Sequence, residues 1–209
     1  MGDIMKSIQA VIFDLGRVLV DINVRRLEAF FLEQTGAGDA PAALSHIMAN
    51  PMMTQFNTGQ IEPRAFYQNL CADYGLTLTF EEFTFRWCDI FSPIDGMEDI
   101  LAALSQKVKL GLLSNTDPLH WGYVKSHYPM MRYFPSPTLS FQVGVVKPHP
   151  AIYAEAAKRA GVTPAECLFV DDLADNIEGA RAAGMAAIQF QGVAQFYGEL
   201  TKAGLWSRA

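Results

Sequence analysis

The sequence predicts an α/β fold, a doubly wound, Rossmann-like parallel sheet that carries a small helical cap as an insertion. Three observations lead there. Short apolar runs alternate with helix-patterned segments in the second half of the chain. A stretch rich in helical spacing and poor in strand-like runs interrupts the first half. Polar and acidic residues stand just past several of the apolar runs, where ligands bind in open parallel sheets.

Five runs read as strands: residues 8–13, 108–113, about 138–141, 167–170 and 186–190. Helix patterns run from Pro150 to Ala160 and from Asp175 to Ala183, followed by Gly161 and Gly184 in C-cap positions. Strands alternating with helices of this length imply parallel pairing through right-handed crossovers. From about residue 23 to 92 the pattern changes. Val24 to Gln34, Pro41 to Met48, Glu62 to Tyr74 and Phe80 to Phe91 show helical apolar spacing, with turn signals at Gly36-Ala37-Gly38, Asn57-Thr58-Gly59 and Gly75. The expected organisation is a core of residues 1–20 and 95–209 with a cap of residues 21–94 between the first two strands. The insert leaves the core at the ligand-binding edge, which is where a lid would sit.

Composition narrows the function. Half of the 209 residues are hydrophobic and 18% are charged, enough for one domain with an insertion and a sizeable core. No apolar stretch reaches the roughly 18 residues that span a bilayer, and Met1-Gly2-Asp3-Ile4-Met5-Lys6 lacks the pattern of a secretory signal. Cys71, Cys88 and Cys167 are widely spaced with no CxxC, which fits thiols in a reducing cytoplasm, the expected location. A net charge of −6 without a basic stripe argues against a nucleic-acid partner. His46, His120, His127 and His149 form no helical i, i+4 pair, so zinc is not expected. Oligomeric state is left open by the sequence.

The chemistry lies in four segments. Phe13-Asp14-Leu15-Gly16-Arg17-Val18 puts a carboxylate at a strand end, beside a glycine that permits close backbone approach. Such a carboxylate can attack phosphorus, although Asp is also a common cap or turn former there. Leu112-Leu113-Ser114-Asn115-Thr116 offers hydroxyls and backbone N–H groups to phosphoryl oxygens. Equally, Ser114, Thr116 or Asp117 could cap a helix with Pro118 at its first position. Gly144-Val145-Val146-Lys147-Pro148 holds an ammonium between a valine pair and a proline, a point cation able to offset an anionic centre or a merely solvated lysine. Phe169-Val170-Asp171-Asp172, with Asn176 nearby, pairs two carboxylates that repel unless a cation or hydrogen bonds compensate. Mg²⁺ suits them, since it takes hard oxygen ligands and keeps several waters.

In this order, the runs Phe-Asp-Leu-Gly-Arg-Val-Leu-Val-Asp-Ile, Leu-Ser-Asn-Thr, Gly-Val-Val-Lys-Pro and Val-Asp-Asp-Leu-Ala-Asp-Asn-Ile-Glu-Gly-Ala-Arg resemble the four motifs of the haloacid dehalogenase superfamily. The resemblance covers nearly the whole chain and looks nearest to the branch of bacterial α-glucose-1-phosphate phosphatases and the N-terminal phosphatase domain of soluble epoxide hydrolase. It implies Asp14 as nucleophile and Mg²⁺ ligand, with the Gly16 carbonyl as a second ligand. It implies Ser114 and Asn115 as phosphoryl binders, Lys147 as the neutralising cation, Asp172 as a direct Mg²⁺ ligand, and Asp171 with Asn176 in support. The helical insert would be the family's small cap, with Phe56, Asn57 and the Asn115–Trp121 loop as plausible substrate contacts.

One position departs from the superfamily pattern. Most of its phosphatases carry an aspartate two residues after the nucleophile as general acid and base, and this chain has Gly16 there. A missing acid costs about 10² to 10⁴ in rate. The glucose-1-phosphatase branch resembles Asp-x-Gly-Asn at this point, with Asn where this chain has Arg17. The expectation is a Mg²⁺-dependent phosphatase acting on a small phosphate monoester, a sugar phosphate such as an anomeric hexose phosphate, through an aspartyl-phosphate. The alternatives are a binding protein of the same fold with little or no activity and, behind it, a 2-haloacid dehalogenase needing no metal.

Overall fold

The computed structural model describes residues 8–35 and 40–206. The Gly36-Ala37-Gly38 turn and the Met1–Lys6 segment lie outside them. The chain begins with β1 (Ala10–Phe13) and β2 (Val20–Ile22), then runs through α1 (Val24–Thr35), α2 (Ala40–Ala49), α3 (Pro51–Asn57), α4 (Pro63–Tyr74) and α5 (Phe80–Cys88). It returns through β3 (Phe91–Pro93), α6 (Met97–Leu104), β4 (Lys109–Ser114), α7 (Pro118–His127), β5 (Thr138–Leu139) and α8 (Ser140–Val143). The last third is α9 (Pro150–Ala160), β6 (Cys167–Asp171), α10 (Ala174–Ala182), β7 (Ala186–Gln189) and α11 (Val193–Lys202).

The main sheet has the order β5-β4-β1-β6-β7, with every pairing parallel. β1 and β6 are buried along their whole length, as strands covered on both faces must be. Side chains alternate between two apolar layers. Val11, Phe13, Leu112 and Val170 pack with α6 and α11 on one face, while Ile12, Leu113 and Phe169 pack with α9 and α10 on the other. Register sets the functional edge: Phe13 pairs with both Leu112 and Val170, and the Asp14 N–H donates to the Val170 carbonyl at 2.8 Å. Asp14, the end of β4 and Asp171 therefore emerge level from three adjacent strands.

The helices α1 to α5 build a separate apolar cluster around Phe30, Phe31, Phe56, Phe66, Phe83 and Trp87. Phe56 stacks on Phe66 with ring centroids 4.1 Å apart, and Phe66 meets Trp87 edge-on at 5.2 Å. This layer joins the sheet layer through the antiparallel pair β2–β3, in which Ile22 opposes Phe91.

Several elements differ from the sequence pattern. The β2–β3 pair was not expected, because three-residue runs show no period. The helix expected to reach Phe91 ends at Cys88, where the Asp89 N–H closes onto the Phe85 carbonyl. The strand expected over about 138–141 is Thr138–Leu139, and Ser140 already begins the short α8. α3, α6 and α11 have no counterpart in the sequence reading, whereas α7 is the helix read with Pro118 at its first position, and of its three candidate caps Asp117 is the one used. By contrast, α9 spans the predicted residues and stops where Gly161 takes the left-handed conformation, φ 65°.

One close approach bears on the site. A Cβ on Gly179 in α10 would stand 2.8 Å from Pro148 Cβ and 2.8 Å from the Tyr153 hydroxyl, which itself donates to the Asn176 carbonyl at 2.9 Å. The bare helix face lets the Lys147–Pro148 segment lie against α10. No helix among the described residues is long and apolar enough to cross a membrane.

Candidate active site

Lys147 is the centre of the site. Its Nζ is buried and lies 2.7 Å from Asp14 Oδ1, 2.6 Å from Asp171 Oδ2 and 3.3 Å from the Leu113 carbonyl, to which it donates. Burial works against this ammonium, but Asp14 and Asp171 outweigh it and hold the group above the ordinary lysine range. Asp14 goes the other way. Burial raises its carboxyl, Lys147 pulls it down and Asp171 pushes it up again, leaving it at about 6.

Asp171 is completely enclosed. Its oxygens accept from Lys147, from Asn176 Nδ2 at 3.0 Å each, and from the Leu173 N–H at 2.8 Å. Asp172 turns toward the open side, with Arg17 Nη1 3.9 Å away. Burial and Asp171 both raise its carboxyl above the usual range, against smaller opposing effects that include Arg17 and Lys147. Arg17 itself has φ 58°, a left-handed backbone that a branched-chain or long side chain rarely adopts.

Ser114 sits at the end of β4, buried, and no group among the described residues bonds its hydroxyl. The Asn115 side chain is bonded to the neighbouring loop. Its Nδ2 donates to the Lys147 carbonyl at 3.1 Å and its Oδ1 accepts the Lys147 N–H at 2.7 Å, so the amide holds the lysine backbone in place. At Gly16 a Cβ would come 2.8 Å from Ile22 Cδ1, so a side chain of the neighbouring strand fills the room of the missing acid.

A cavity of about 250 Å³ opens from Gly16, Ser114 and Asn115 toward the helical layer. Its far wall includes Met53, Trp87 and His120, and Asn57 lies on its lining. Phe56 is fully buried in the helical cluster and is not on that lining, whereas Thr116 and Asp117 are.

A family model described as haloacid dehalogenase-like hydrolase matches residues 8–184. The chain belongs to the haloacid dehalogenase-like hydrolases. A D-ribitol-5-phosphate phosphatase from Bacteroides thetaiotaomicron is 30% identical over 201 residues, which is 93% of this chain and 97% of that one. A haloacid dehalogenase family enzyme of the same organism, solved with magnesium and inorganic phosphate, superposes with a TM-score of 0.78 at 24% identity, covering 88% of this chain and 95% of that one. An L-2-haloacid dehalogenase from Xanthobacter autotrophicus gives a TM-score of 0.65 at 21% identity, covering 96% of this chain and 85% of that one. Both superpositions show the same fold.

In this haloacid dehalogenase-like chain the donor set fits a hard cation. Asp14, Asp171 and Asp172 each offer a carboxylate oxygen, and these oxygens lie within 4.8 Å of one another. Lys147 offsets part of that charge, and Asp14 and Asp172 are held above the usual carboxylate range, by burial first and by Asp171 after it.

Sequence reasoning missed a second buried constellation. Asp117 caps α7, accepting the Leu119 and His120 N–H groups at 2.8 and 2.9 Å. Its other oxygen accepts from Trp87 Nε1 at 3.3 Å and lies 2.7 Å from His120 Nδ1. His120 Nε2 is 3.0 Å from the Trp87 carbonyl, and the two rings stack. With an acceptor at each ring nitrogen, the geometry favours the doubly protonated imidazole. Burial lowers its pKa, but Asp117 outweighs that and raises it; burial likewise raises Asp117, and His120 and Trp87 bring it below the usual range. The signal was an Asp and a His three residues apart at a helix start, with the third partner in another layer.

Proposed function

We propose that this chain is a Mg²⁺-dependent phosphatase that hydrolyses small phosphate monoesters through an aspartyl-phosphate on Asp14. The observation that carries the reading is the Lys147 ammonium, bound to Asp14 and Asp171 at 2.7 and 2.6 Å beside a free Ser114 hydroxyl and a third carboxylate, Asp172.

Asp14, the Gly16 carbonyl and Asp172 would hold the cation, with Asp171 behind them. When bound, Mg²⁺ neutralises charge on Asp14 and on the phosphoryl oxygens. Ser114 Oγ and backbone N–H groups at Asn115 hold the transferring group, while Lys147 faces its developing charge. An Asp14 oxygen forms a bond to phosphorus as the ester oxygen leaves with its electron pair. Water then attacks phosphorus, the acyl-phosphate P–O bond breaks, and inorganic phosphate and the Asp14 carboxylate are released. Asn115 and Asn176 are positioning residues, one for the backbone of Lys147 and the other for Asp171. The helices α1 to α5 act as the cap over this site.

With Ile22 where an acid would stand, the leaving oxygen takes its proton from water. The D-ribitol-5-phosphate phosphatase relative makes a polyol or sugar phosphate a substrate to test, while an anomeric hexose phosphate rests on the sequence resemblance alone. Gly16 favours a second reading, a phosphate-ester binding protein without turnover. Dehalogenation would use the same attacking carboxylate but gives Asp172 no task.

The test is phosphate release from a panel of small monoesters with Mg²⁺ and with chelator, beside Asp14→Asn. Mg²⁺-dependent release absent in the variant is the expected result. Ligand binding with no release across the panel would move the assignment to a binding protein, and chelator-insensitive halide release from a 2-haloacid would move it to dehalogenation.

A further inference from the structure

We infer that, against the polyol or sugar phosphate suggested by the relative's name, the monoester this site takes carries an apolar leaving group, a short alkyl chain or a single ring. The inference rests on the phosphatase reading above and names its substrate class.

The cavity continues directly from Gly16, Ser114 and Asn115, so whatever fills it is attached to the phosphoryl group. Beyond that polar end its walls are Leu27, Leu44, Met53, Trp87, Ile90 and Phe91. A sugar or polyol entering here brings several hydroxyls that need partners once they leave water. Few are on offer. Asp117 already accepts four bonds, from the Leu119 and His120 N–H groups, Trp87 Nε1 and His120 Nδ1. His120 spends its second nitrogen on the Trp87 carbonyl. The half-buried Asn57 amide and the Thr116 hydroxyl are the side-chain groups on the lining beyond Ser114 and Asn115 that have polar atoms to spare among the described residues.

An independent observation points the same way. Of the five exposed large hydrophobic side chains among the described residues, two, Val24 and Met48, line this cavity, at 36% and 54% exposure. An apolar ligand would cover both. Size sets an upper bound: an apolar cavity of about 150 Å³ takes one benzene ring, so 250 Å³ takes one substituted ring or a chain of about six to eight carbons.

The test is kcat/KM for ethyl, butyl and hexyl phosphate, whose leaving oxygens are similarly basic, with ribitol 5-phosphate beside them. The expected result is a rise of about fourfold per methylene, so that hexyl phosphate exceeds ethyl phosphate about 10²-fold and exceeds the polyol ester as well. A flat alkyl series, or ribitol 5-phosphate turned over faster than hexyl phosphate, overturns the inference. Calorimetry with ethyl- and hexylphosphonate on the Mg²⁺-loaded protein separates the two proposals. If no ester is hydrolysed but hexylphosphonate binds far more tightly than ethylphosphonate, the phosphatase reading fails and the apolar class stands. Equal binding of the two phosphonates overturns the class.

Discussion

The Lys147 ammonium lies 2.7 Å from the Asp14 carboxylate, and that carboxyl still titrates near 6 rather than near 3.8. A direct ion pair normally depresses a carboxyl. Here burial and the enclosed charge of Asp171 outweigh it, so Asp14, the proposed attacking group, is held in an unfavourable ionised state that a divalent cation would relieve.

Asp14→Asn should therefore stabilise the metal-free protein while abolishing phosphate release. A folded value above the unfolded one means that the ionised carboxylate costs stability, with the cost absent below about pH 4 and complete above about pH 6. The gain at pH 8 is at most about 3 kcal/mol, reduced by the partner that Lys147 loses, and is read by denaturant unfolding in chelator. A variant no more stable than the parent at pH 8 would contradict this account of the charge balance.

Mg²⁺ should raise the unfolding temperature in proportion to the logarithm of its concentration. At a hundred times its Kd the gain is about 2.7 kcal/mol. Asp172→Asn should lose most of that gain without unfolding, because its carboxylate is the most open of the three. A full Mg²⁺ shift in this variant would remove Asp172 from the ligand set.

His120→Ala should cost about 2 kcal/mol near pH 6, since it removes a charged hydrogen-bond partner from buried Asp117. The sign with pH follows from both shifts. Raised in the fold, His120 contributes fully below about pH 6.5 and loses its effect as pH rises through the folded value. Asp117, lowered in the fold, contributes above about pH 4 and loses its effect as pH falls through the folded value. The gap between parent and variant should narrow on going from pH 6 to strongly alkaline solution. Thermal melts with a constant gap would show that the imidazole is neutral in the fold.

Gly16→Asp combined with Ile22→Val should speed hydrolysis of esters with poor leaving groups by about 10². Gly16 does not have a positive φ, so an L side chain is allowed there, and the obstacle is Ile22 Cδ1 at 2.8 Å from the new Cβ. The single substitution should gain less, as Ile22 must first move. No gain in kcat for the double variant would mean that proton supply does not limit turnover.

The strand ends were legible because each is a local event, an apolar run stopped by a charged or hydroxyl residue. Asp14, Ser114 and Asp171 could be placed on one edge from that alone, and Lys147 from its motif. The side-chain bonds of Asn115 were not legible: its position beside Ser114 gives no sign that its amide is bonded at both ends to the Lys147 backbone. The Trp87–Asp117–His120 link was hidden for the same reason, because its members lie in two layers and meet only after folding. Ile22 was invisible as the occupant of the acid's place, since it stands on a strand too short to leave a pattern.

Gly179 contributes no atom to the cavity lining, yet the tolerance of the site to mutation depends on it. One added methyl group would press on Pro148 and on the Tyr153 hydroxyl, both rigidly held, and would shift the segment that carries Lys147. A random-mutagenesis screen scored by lost turnover would thus return this helix-face glycine beside the carboxylates themselves. A position that the chemistry never reaches is thereby made intolerant of even the smallest side chain.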